Sequence, residues 1–254
     1  MSTTWQLAFS QPKPKKVRYI RSIVSYVDVL GFRELIAERK PGEVSRILRI
    51  LAEAVKPLAS VDSRKVRFTK FSDTVIRSTP ENLLYPLNFI MELRHLVYAQ
   101  MALIPLGVLA RGVITVGDVV QSWGVVYGPA VITAYDLERM TKAPVIRVDA
   151  TALAQIRPAL IEQGLAPELN ELISNDGDTM FLNYLRACES ELNVPEQEFA
   201  IFLELHRDFI RNGLQTHASN VPVLRKYEWL GAYHDRTISD LTQARDDIRG
   251  SLRV

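Results

Sequence analysis

The sequence predicts an α+β fold in which helices cover a mostly antiparallel sheet and a helical extension follows at the C-terminus. Strand-like and helical patterns alternate in the order β-α-β-β-α-β-β-α within residues 18–150, which is typical of α+β proteins. Residues 151–254 carry mainly helical patterns, and residues 1–17 include a basic run punctuated by prolines. We therefore predict a flexible basic arm, one α+β domain and a helical extension, in that order.

The first elements of the domain are a strand and an interrupted helix. Residues 18–29 are rich in apolar, β-branched side chains, as in a largely buried strand; these are Ile20, Ile23, Val24, Val27 and Val29. From 32 to 56 the apolar residues recur at helical spacing, with a break near Pro41 and an end at Pro57. The pattern predicts a strand that leads directly into a helix.

Two antiparallel strands and a second helix come next. Side chains alternate in polarity over 65–71 and again over 73–78, and the link of about two residues predicts a tight hairpin. Residues 81–101 then have the spacing of a helix. This hairpin is expected to pair with the first strand.

A second pair of strands precedes a third helix. Residues 106–116 and 118–126 are both strand-like. Pro129 stands where helices often begin, helical spacing runs from 130 to 142, and a short strand is predicted at 144–148.

The last third of the chain is predicted to be mainly helical. Residues 149–190 have the character of additional helix and loop, and helical periodicity is clear over 195–212 and 222–249. The apolar faces of these last helices must be buried, either on the domain or on a second subunit.

Composition excludes several classes of partner. The chain has 31 Lys and Arg against 29 Asp and Glu, so it lacks the strong positive field that attracts nucleic acid or anionic membranes. Cys188 is the one cysteine, which excludes an internal disulfide. No apolar stretch is long enough to span a membrane, and no signal pattern opens the chain. We expect a cytoplasmic protein that binds neither nucleic acid nor membrane.

Asp28 is the first candidate site residue, because it ends a buried strand just before a helix. A carboxylate in this position is unfavourable unless its charge is compensated. The turn at Gly31 would expose backbone N–H groups that favour phosphate, and Asp28 could hold a divalent cation that bridges phosphate oxygens. Asp28 could also serve as the N-cap of the helix over residues 32–40, a role that does not exclude metal binding.

Asp73 lies in the predicted hairpin turn, directly after Ser72. An aspartate in a tight turn is usually only a turn former. In a β-α-β-β layout, however, the end of the first strand and this turn lie side by side. Asp28 and Asp73 are therefore expected to converge on two metal ions.

The order of these motifs resembles the catalytic domain of class III adenylate and guanylate cyclases. The similar segments, within about residues 18–150, are Asp28-x-x-Gly-Phe, the hairpin Ser-Asp73, Arg111-x-Val-x-x-x-Gly, and Gly128-Pro-Ala-Val-Ile-Thr-Ala-Tyr-Asp-Leu-Glu. The resemblance implies the class III sandwich fold. It also implies that Asp28 and Asp73 carry two divalent cations, Mn²⁺ or Mg²⁺.

The same resemblance implies further site residues and an assembly. The backbone of Val29, Leu30, Gly31 and Phe32 would contact the metal and the phosphates, with Val29 among the metal ligands. Arg111 would bind the triphosphate of a nucleoside triphosphate, or alternatively it is a strand residue paired with a carboxylate. Class III sites form between two subunits, so a homodimer with shared active sites is implied.

Four positions depart from the class III pattern. Thr69 stands where adenine-reading members usually have Lys and guanine-reading members have Glu, and Pro129 occupies the partner base-reading position. Ile132 and Asp136 stand where the family has the asparagine and arginine that hold the ribose and stabilise the transition state. The purine-reading residues are therefore missing.

Tyr135 and Arg139 offer a replacement pair on the same helix. They are four residues apart and so lie on one face. An aromatic ring can stack on a base or ribose, and a guanidinium can bind phosphate. Alternatively, Tyr135 packs in a core and Arg139 pairs with Asp136 or Glu138.

This Tyr-x-x-x-Arg arrangement resembles the pyrimidine cyclases of the bacterial Pycsar anti-phage system. The resemblance implies a cyclic pyrimidine nucleotide as product, read by a separate effector protein. Thr69 and Lys70 would donate to the two uracil carbonyls, which favours UTP as substrate and CTP next. The alternatives are a purine cyclase, a catalytically silent homologue that binds nucleotide as a sensor, and a scaffold that uses its C-terminal helices.

Overall fold

The computed structural model describes residues 17–54, 66–81, 85–122 and 124–240. Several sequence predictions extend outside these ranges. They are the basic arm up to residue 16, the helix end at Pro57, the first residue of the 65–71 strand, positions 82–84 of the 81–101 helix, and residues 241–249 of the last helix.

The secondary structure follows the predicted order closely. The strands are β1 Ile20–Val29, β2 Arg67–Phe71, β3 Thr74–Pro80, β4 Ala110–Ser122, β5 Val125–Tyr127, β6 Ile146–Val148, β7 Ile173–Asp176 and β8 Thr179–Leu182. The helices are α1 Phe32–Glu38, α2 Pro41–Ala54, α3 Tyr85–Leu103, α4 Pro129–Met140, α5 Ala150–Glu162, α6 Ala166–Leu172, α7 Tyr184–Glu191, α8 Pro195–Thr216 and α9 Val221–Asp240, with a 3₁₀ turn at Ile104–Leu106. The predicted break near Pro41 is confirmed, because α2 begins there.

Within the described residues, eight strands form one sheet around β1. The strand order is β2-β3-β1-β4-β6-β8-β7, and β5 pairs with β4 beside this path. Neighbouring strands are antiparallel except β4 and β6, which run parallel. The predicted α+β class with a mostly antiparallel sheet is confirmed.

The two faces of the sheet pack differently. Val27 of β1 belongs to the main core, which includes Phe89 of α3. Val24 lies on the opposite face and packs with Ala130 of α4 in a second, smaller cluster. Because side chains alternate along a strand, Asp28 lies on the Val24 side. The face covered by α4 is therefore the one that carries the candidate site.

The prediction of two strands, at 106–116 and 118–126, is wrong about where the first strand ends. The structure has one long strand that runs through Gly117, and the chain turns at Gly124, where φ is 78°. Gly117 instead allows α4 to cross closely, since a Cβ atom there would lie 3.3 Å from the Cβ atom of Ala130. The glycine reflects helix packing rather than a turn.

The loop expected within residues 149–190 is also wrong in part, because β7 and β8 form a hairpin there. Gly177 lies in its turn with φ of 57°, and β8 adds the hairpin to the sheet beside β6. The Asp176-Gly177 turn signal is present in the sequence. Strands of four residues are too short to give a clear alternating pattern.

The C-terminal helices bury their apolar faces on their own chain. Side chains from α8 and α9 belong to the same core as the sheet and α3, among them Leu203, Ile210, Leu230 and Ile238. Of the two predicted burial sites, the domain is therefore the one observed. No helix in the described ranges has the length and apolar character needed to cross a bilayer.

A buried polar network joins these helices to α7. The Tyr184 hydroxyl lies 2.7 Å from His206 Nε2, and His206 Nδ1 lies 2.9 Å from His234 Nδ1. Burial lowers the pKa of His206 well below its usual value, and the neighbouring His234 lowers it further. The folded protein therefore favours the neutral imidazole.

This network predicts acid sensitivity of the fold. Because the pKa of His206 is lower in the folded than in the unfolded chain, its contribution is fully present above about pH 6.5 and is lost as pH falls below it. We expect the free energy of unfolding, measured by urea titration, to fall more steeply between pH 6.5 and 5 than in a His206→Phe variant, by up to about 1.4 kcal/mol per pH unit. Equal slopes in the two proteins would contradict the assignment.

Candidate active site

Asp28 and Arg111 form a cross-strand pair at the end of β1. The register of β1 and β4 places them directly opposite each other. Arg111 Nη2 lies 3.1 Å from Asp28 Oδ2 and 2.5 Å from Glu138 Oε1 of α4. Arg111 is therefore held between two carboxylates, as in the strand-pairing alternative considered from the sequence.

Asp73 lies in the turn between β2 and β3, beside the end of β1. Val75 of β3 pairs with Val27 of β1, which places the preceding turn next to Asp28 and Val29. Burial raises the pKa of Asp73, and the negative charge of Asp28 raises it further. The two carboxylates are thus close enough to interact electrostatically.

The backbone after Asp28 turns sharply into α1. Leu30 N donates to Leu109 O at 2.9 Å, and Gly31 has a φ of 74° at the N-cap position. Because Gly31 is the N-cap and no side chain caps this helix, the alternative in which Asp28 caps it is wrong. The side chain of Val29 is 2% exposed in the core, so only its backbone is available for a ligand.

Phe32, the last residue of this predicted backbone cradle, is the first residue of α1. Its side chain is partly buried against the main core. The predicted phosphate contact of Phe32 concerns its main chain, which follows directly on the turn at Gly31.

Glu138 and Tyr26 are two site residues that the sequence analysis did not select. Glu138 is 6% exposed, and burial raises its pKa while Arg111 lowers it. Burial also raises the pKa of Tyr26, whose charged neighbours are Asp28 and Glu138. A signal for Glu138 exists, since it follows Ala130 and Ala134 at four-residue spacing along the buried stripe of α4.

Thr69 lies on β2 with its hydroxyl held by Gln121. The Gln121 side-chain amide donates to Thr69 Oγ1 at 2.7 Å and to Ile76 O at 3.2 Å. The threonine O–H remains as a donor. Lys70 instead donates to Leu48 O of α2 at 3.4 Å, because adjacent strand residues face opposite sides. The predicted pairing of Thr69 with Lys70 at one base is therefore wrong.

The exposed face of α4 carries Tyr135 and Arg139. Tyr135 is 46% exposed, and the Arg139 guanidinium carbon lies 5.6 Å from the centre of its ring. The alternative in which Tyr135 packs in a core is wrong, and Glu138 pairs with Arg111 rather than with Arg139. Pro129 is also exposed at the start of the helix.

The structure thus brings together part of the predicted site. Asp28, Asp73 and Arg111 converge at the end of β1. Tyr135 and Arg139 project from the surface of α4, and among the described residues neither forms a hydrogen bond or ion pair with the two aspartates.

The two aspartates fit a hard divalent cation. Mg²⁺ is commonly bound through one or two carboxylates, with substrate phosphates and water completing the shell. Burial, and after it the negative charge of Asp28, raises the pKa of Asp73. A bound cation relieves such repulsion between carboxylates. In the part of the chain that the structure describes, no group of three or more His, Cys, Asp or Glu side chains could hold a metal ion.

Comparison with solved structures finds adenylyl and guanylyl cyclases. A bacterial light-regulated adenylyl cyclase is 21% identical, with a TM-score of 0.40 over 57% of this chain and 47% of that chain. The guanylyl cyclase domain of a RhoGC fusion protein from the aquatic fungus Blastocladiella emersonii is 15% identical, with a TM-score of 0.41 over 57% and 90%. An adenylate/guanylate cyclase/hydrolase from Silicibacter pomeroyi is 17% identical, with a TM-score of 0.42 over 64% and 89%.

No protein-family model and no curated protein matches this chain. The chain spans about half the length of the light-regulated cyclase, 47% of it. The activities for which these proteins are named are activities of those proteins.

Proposed function

We propose that this chain is a class III nucleotidyl cyclase that converts a nucleoside triphosphate to its 3′,5′-cyclic monophosphate and pyrophosphate. The observation that carries the proposal is the approach of Asp28 and Asp73 at the end of β1, beside Arg111. Two carboxylates and one guanidinium at the same end of neighbouring strands can hold divalent cations and the phosphates that they bind. The motif order in the sequence supports the same proposal.

Asp28, Asp73 and the backbone carbonyl of Val29 would hold two Mn²⁺ or Mg²⁺ ions. When bound, such ions lower the pKa of the ribose 3′-hydroxyl and neutralise charge on the phosphates. Asp28 and Asp73 would keep the ribose 3′-hydroxyl in line with the α-phosphorus. Its oxygen would form the new bond to phosphorus as the bond to pyrophosphate breaks, and its proton would pass to solvent. The backbone from Leu30 to Phe32 would contact the phosphates.

Arg111 would stabilise the departing pyrophosphate. Its guanidinium contacts Asp28 and Glu138 in the structure, and a cation bound at Asp28 would compete for that carboxylate. Arg111 would then keep Glu138 as its partner and present its remaining donors to a phosphate oxygen. In this account Glu138 positions the arginine.

For the base, we propose a pyrimidine, with UTP preferred and CTP next. Thr69 supplies one short hydroxyl donor, and Pro129 supplies no backbone N–H. A purine would leave more of its polar edge unpaired, at about 1–3 kcal/mol for each buried group. Tyr135 would occupy the space that a second ring needs. With Lys70 bonded to Leu48, the preference for UTP over CTP depends on Thr69 alone.

The pyrimidine proposal extends to the role of the product and to the assembly of the site. The product would act as a second messenger in anti-phage defence, read by a separate effector protein. The site would be shared by two subunits of a homodimer, with Tyr135 and Arg139 serving the partner's aspartates. Their exposure on α4 supports a role at a surface that meets another molecule.

Competition between substrates tests this function. The purified protein is incubated with equal concentrations of all four NTPs and Mn²⁺, and the products are resolved by mass. We expect cyclic UMP or cyclic CMP to dominate by at least about tenfold in kcat/KM, which requires about 1.4 kcal/mol of discrimination. Predominant cyclic AMP or cyclic GMP would refute the pyrimidine proposal and leave a cyclase. Saturable NTP binding without any cyclic product would instead identify a silent sensor.

A further inference from the structure

A cavity of about 520 Å³ lies next to the proposed phosphate-contacting backbone. Leu30 and Gly31 line one side of it, and the segment from Ile104 to Leu109 lines another. The remaining wall comes from α8 and α9, including Lys226. The C-terminal helices therefore form part of the wall of the cavity beside the end of β1.

Lys226 is a partly buried cation in this wall. The Lys226 ammonium interacts electrostatically with four charged groups, namely Arg111, Glu34, Asp28 and Glu138. Burial lowers the pKa of Lys226, and the positive charge of Arg111 lowers it further.

No hydrogen bond or ion pair holds the Lys226 ammonium among residues 17–54, 66–81, 85–122 and 124–240. A partly buried cation without a close partner gains more from a bound anion than a fully hydrated cation does, because it has already lost part of its hydration. Glu34 also lines the cavity, yet it forms no such pair with the lysine. The arrangement leaves the lysine charge available to a ligand.

We propose that Lys226 is a substrate-positioning residue that binds the terminal phosphates of the nucleoside triphosphate, so that the C-terminal helices complete the active site. The inference rests on the proposed cyclase function. A lysine contributes a compact positive charge with three donors, which suits phosphate oxygens in an open cavity. Arg111 and Lys226 would then bind the phosphate chain from the sheet and from α9, respectively.

The test compares Lys226→Gln, which removes the charge but keeps most of the length, with Lys226→Arg, which keeps the charge. Arg225→Gln is the matched control, since Arg225 is an exposed cation on the same helix and does not line the cavity. Two quantities are measured with Mn²⁺ present: the KM for the NTP that the protein cyclises, and the Kd of inorganic pyrophosphate by calorimetry.

We expect Lys226→Gln to raise both constants by at least about tenfold while kcat changes by less than about threefold, because the lysine binds substrate and transition state alike. Lys226→Arg should recover much of the affinity, and Arg225→Gln should match the wild type. A Lys226→Gln protein with unchanged pyrophosphate affinity, even with a lower Tm, would overturn the inference. If the wild-type protein bound pyrophosphate through Lys226 but made no cyclic product, only the proposed function would fail.

Discussion

Replacing Asp73 with Asn is expected to reduce cyclisation by at least about 1,000-fold, equivalent to about 4 kcal/mol of transition-state stabilisation. The variant should nevertheless fold with a Tm equal to or above that of the wild type in metal-free buffer. The pKa of Asp73 is raised in the folded protein, so folding disfavours its charged form, and the carboxylate opposes stability at neutral pH. Removing the charge relieves that penalty.

Asp28 provides the matched comparison. Asp28→Asn should abolish turnover equally, but it removes the ion pair with Arg111, so it should lower the free energy of unfolding by about 1 kcal/mol. Arg111 would keep Glu138 as a partner, which limits the loss. Turnover by either variant within tenfold of the wild type, measured by cyclic nucleotide formation, would remove the metal-binding role proposed for that aspartate.

Mixing two inactive variants is expected to restore activity. If each site takes its aspartates from one subunit and Arg139 from the other, a heterodimer of Asp73→Ala and Arg139→Ala chains contains one intact site. With equal amounts and random exchange in a twofold-symmetric dimer, half of the dimers are mixed, so we expect about a quarter of wild-type activity. Cyclic product formed by the mixture is measured against each variant alone.

The mixing experiment needs its own control for subunit exchange. The two chains carry different affinity tags, and co-purification of both tags confirms that mixed dimers have formed. Full exchange without any recovery would show that each subunit carries its own complete site. A chain that remains monomeric at the assay concentration but is active would contradict the shared site in the same way.

The positions of the two aspartates could be predicted from the sequence because both depend on local patterns. Asp28 lies near the end of a segment rich in β-branched apolar residues, and Asp73 lies in a two-residue link between alternating segments. The β-α-β-β order then determines that the strand end and the turn are neighbours, as the register of Val27 with Val75 confirms. The alternation of side chains along a strand also places Lys70 and Thr69 on opposite faces of β2. The prediction that both residues bind one base did not take this into account.

Other features depend on how distant elements pack, which no local pattern records. Glu138 reaches Arg111 because α4 crosses β4 closely at Gly117. In the sequence, this glycine indicated a boundary between two strands, whereas in the structure it allows the helix to pack. Lys226 reaches the end of β1 because α8 and α9 fold back along the domain. The helical periodicity of the extension indicated that it would be buried but not which surface would bury it.

The stoichiometry of the products tests directly whether Asp28 and Asp73 form a cyclase site. The purified protein and its Asp73→Asn variant are incubated in parallel with the preferred NTP and Mn²⁺, and cyclic nucleotide and pyrophosphate are quantified together. A cyclase with the proposed site releases one of each for every NTP consumed, and the variant releases neither. Linear nucleotide with phosphate or pyrophosphate, or equal release by the variant, would contradict the account.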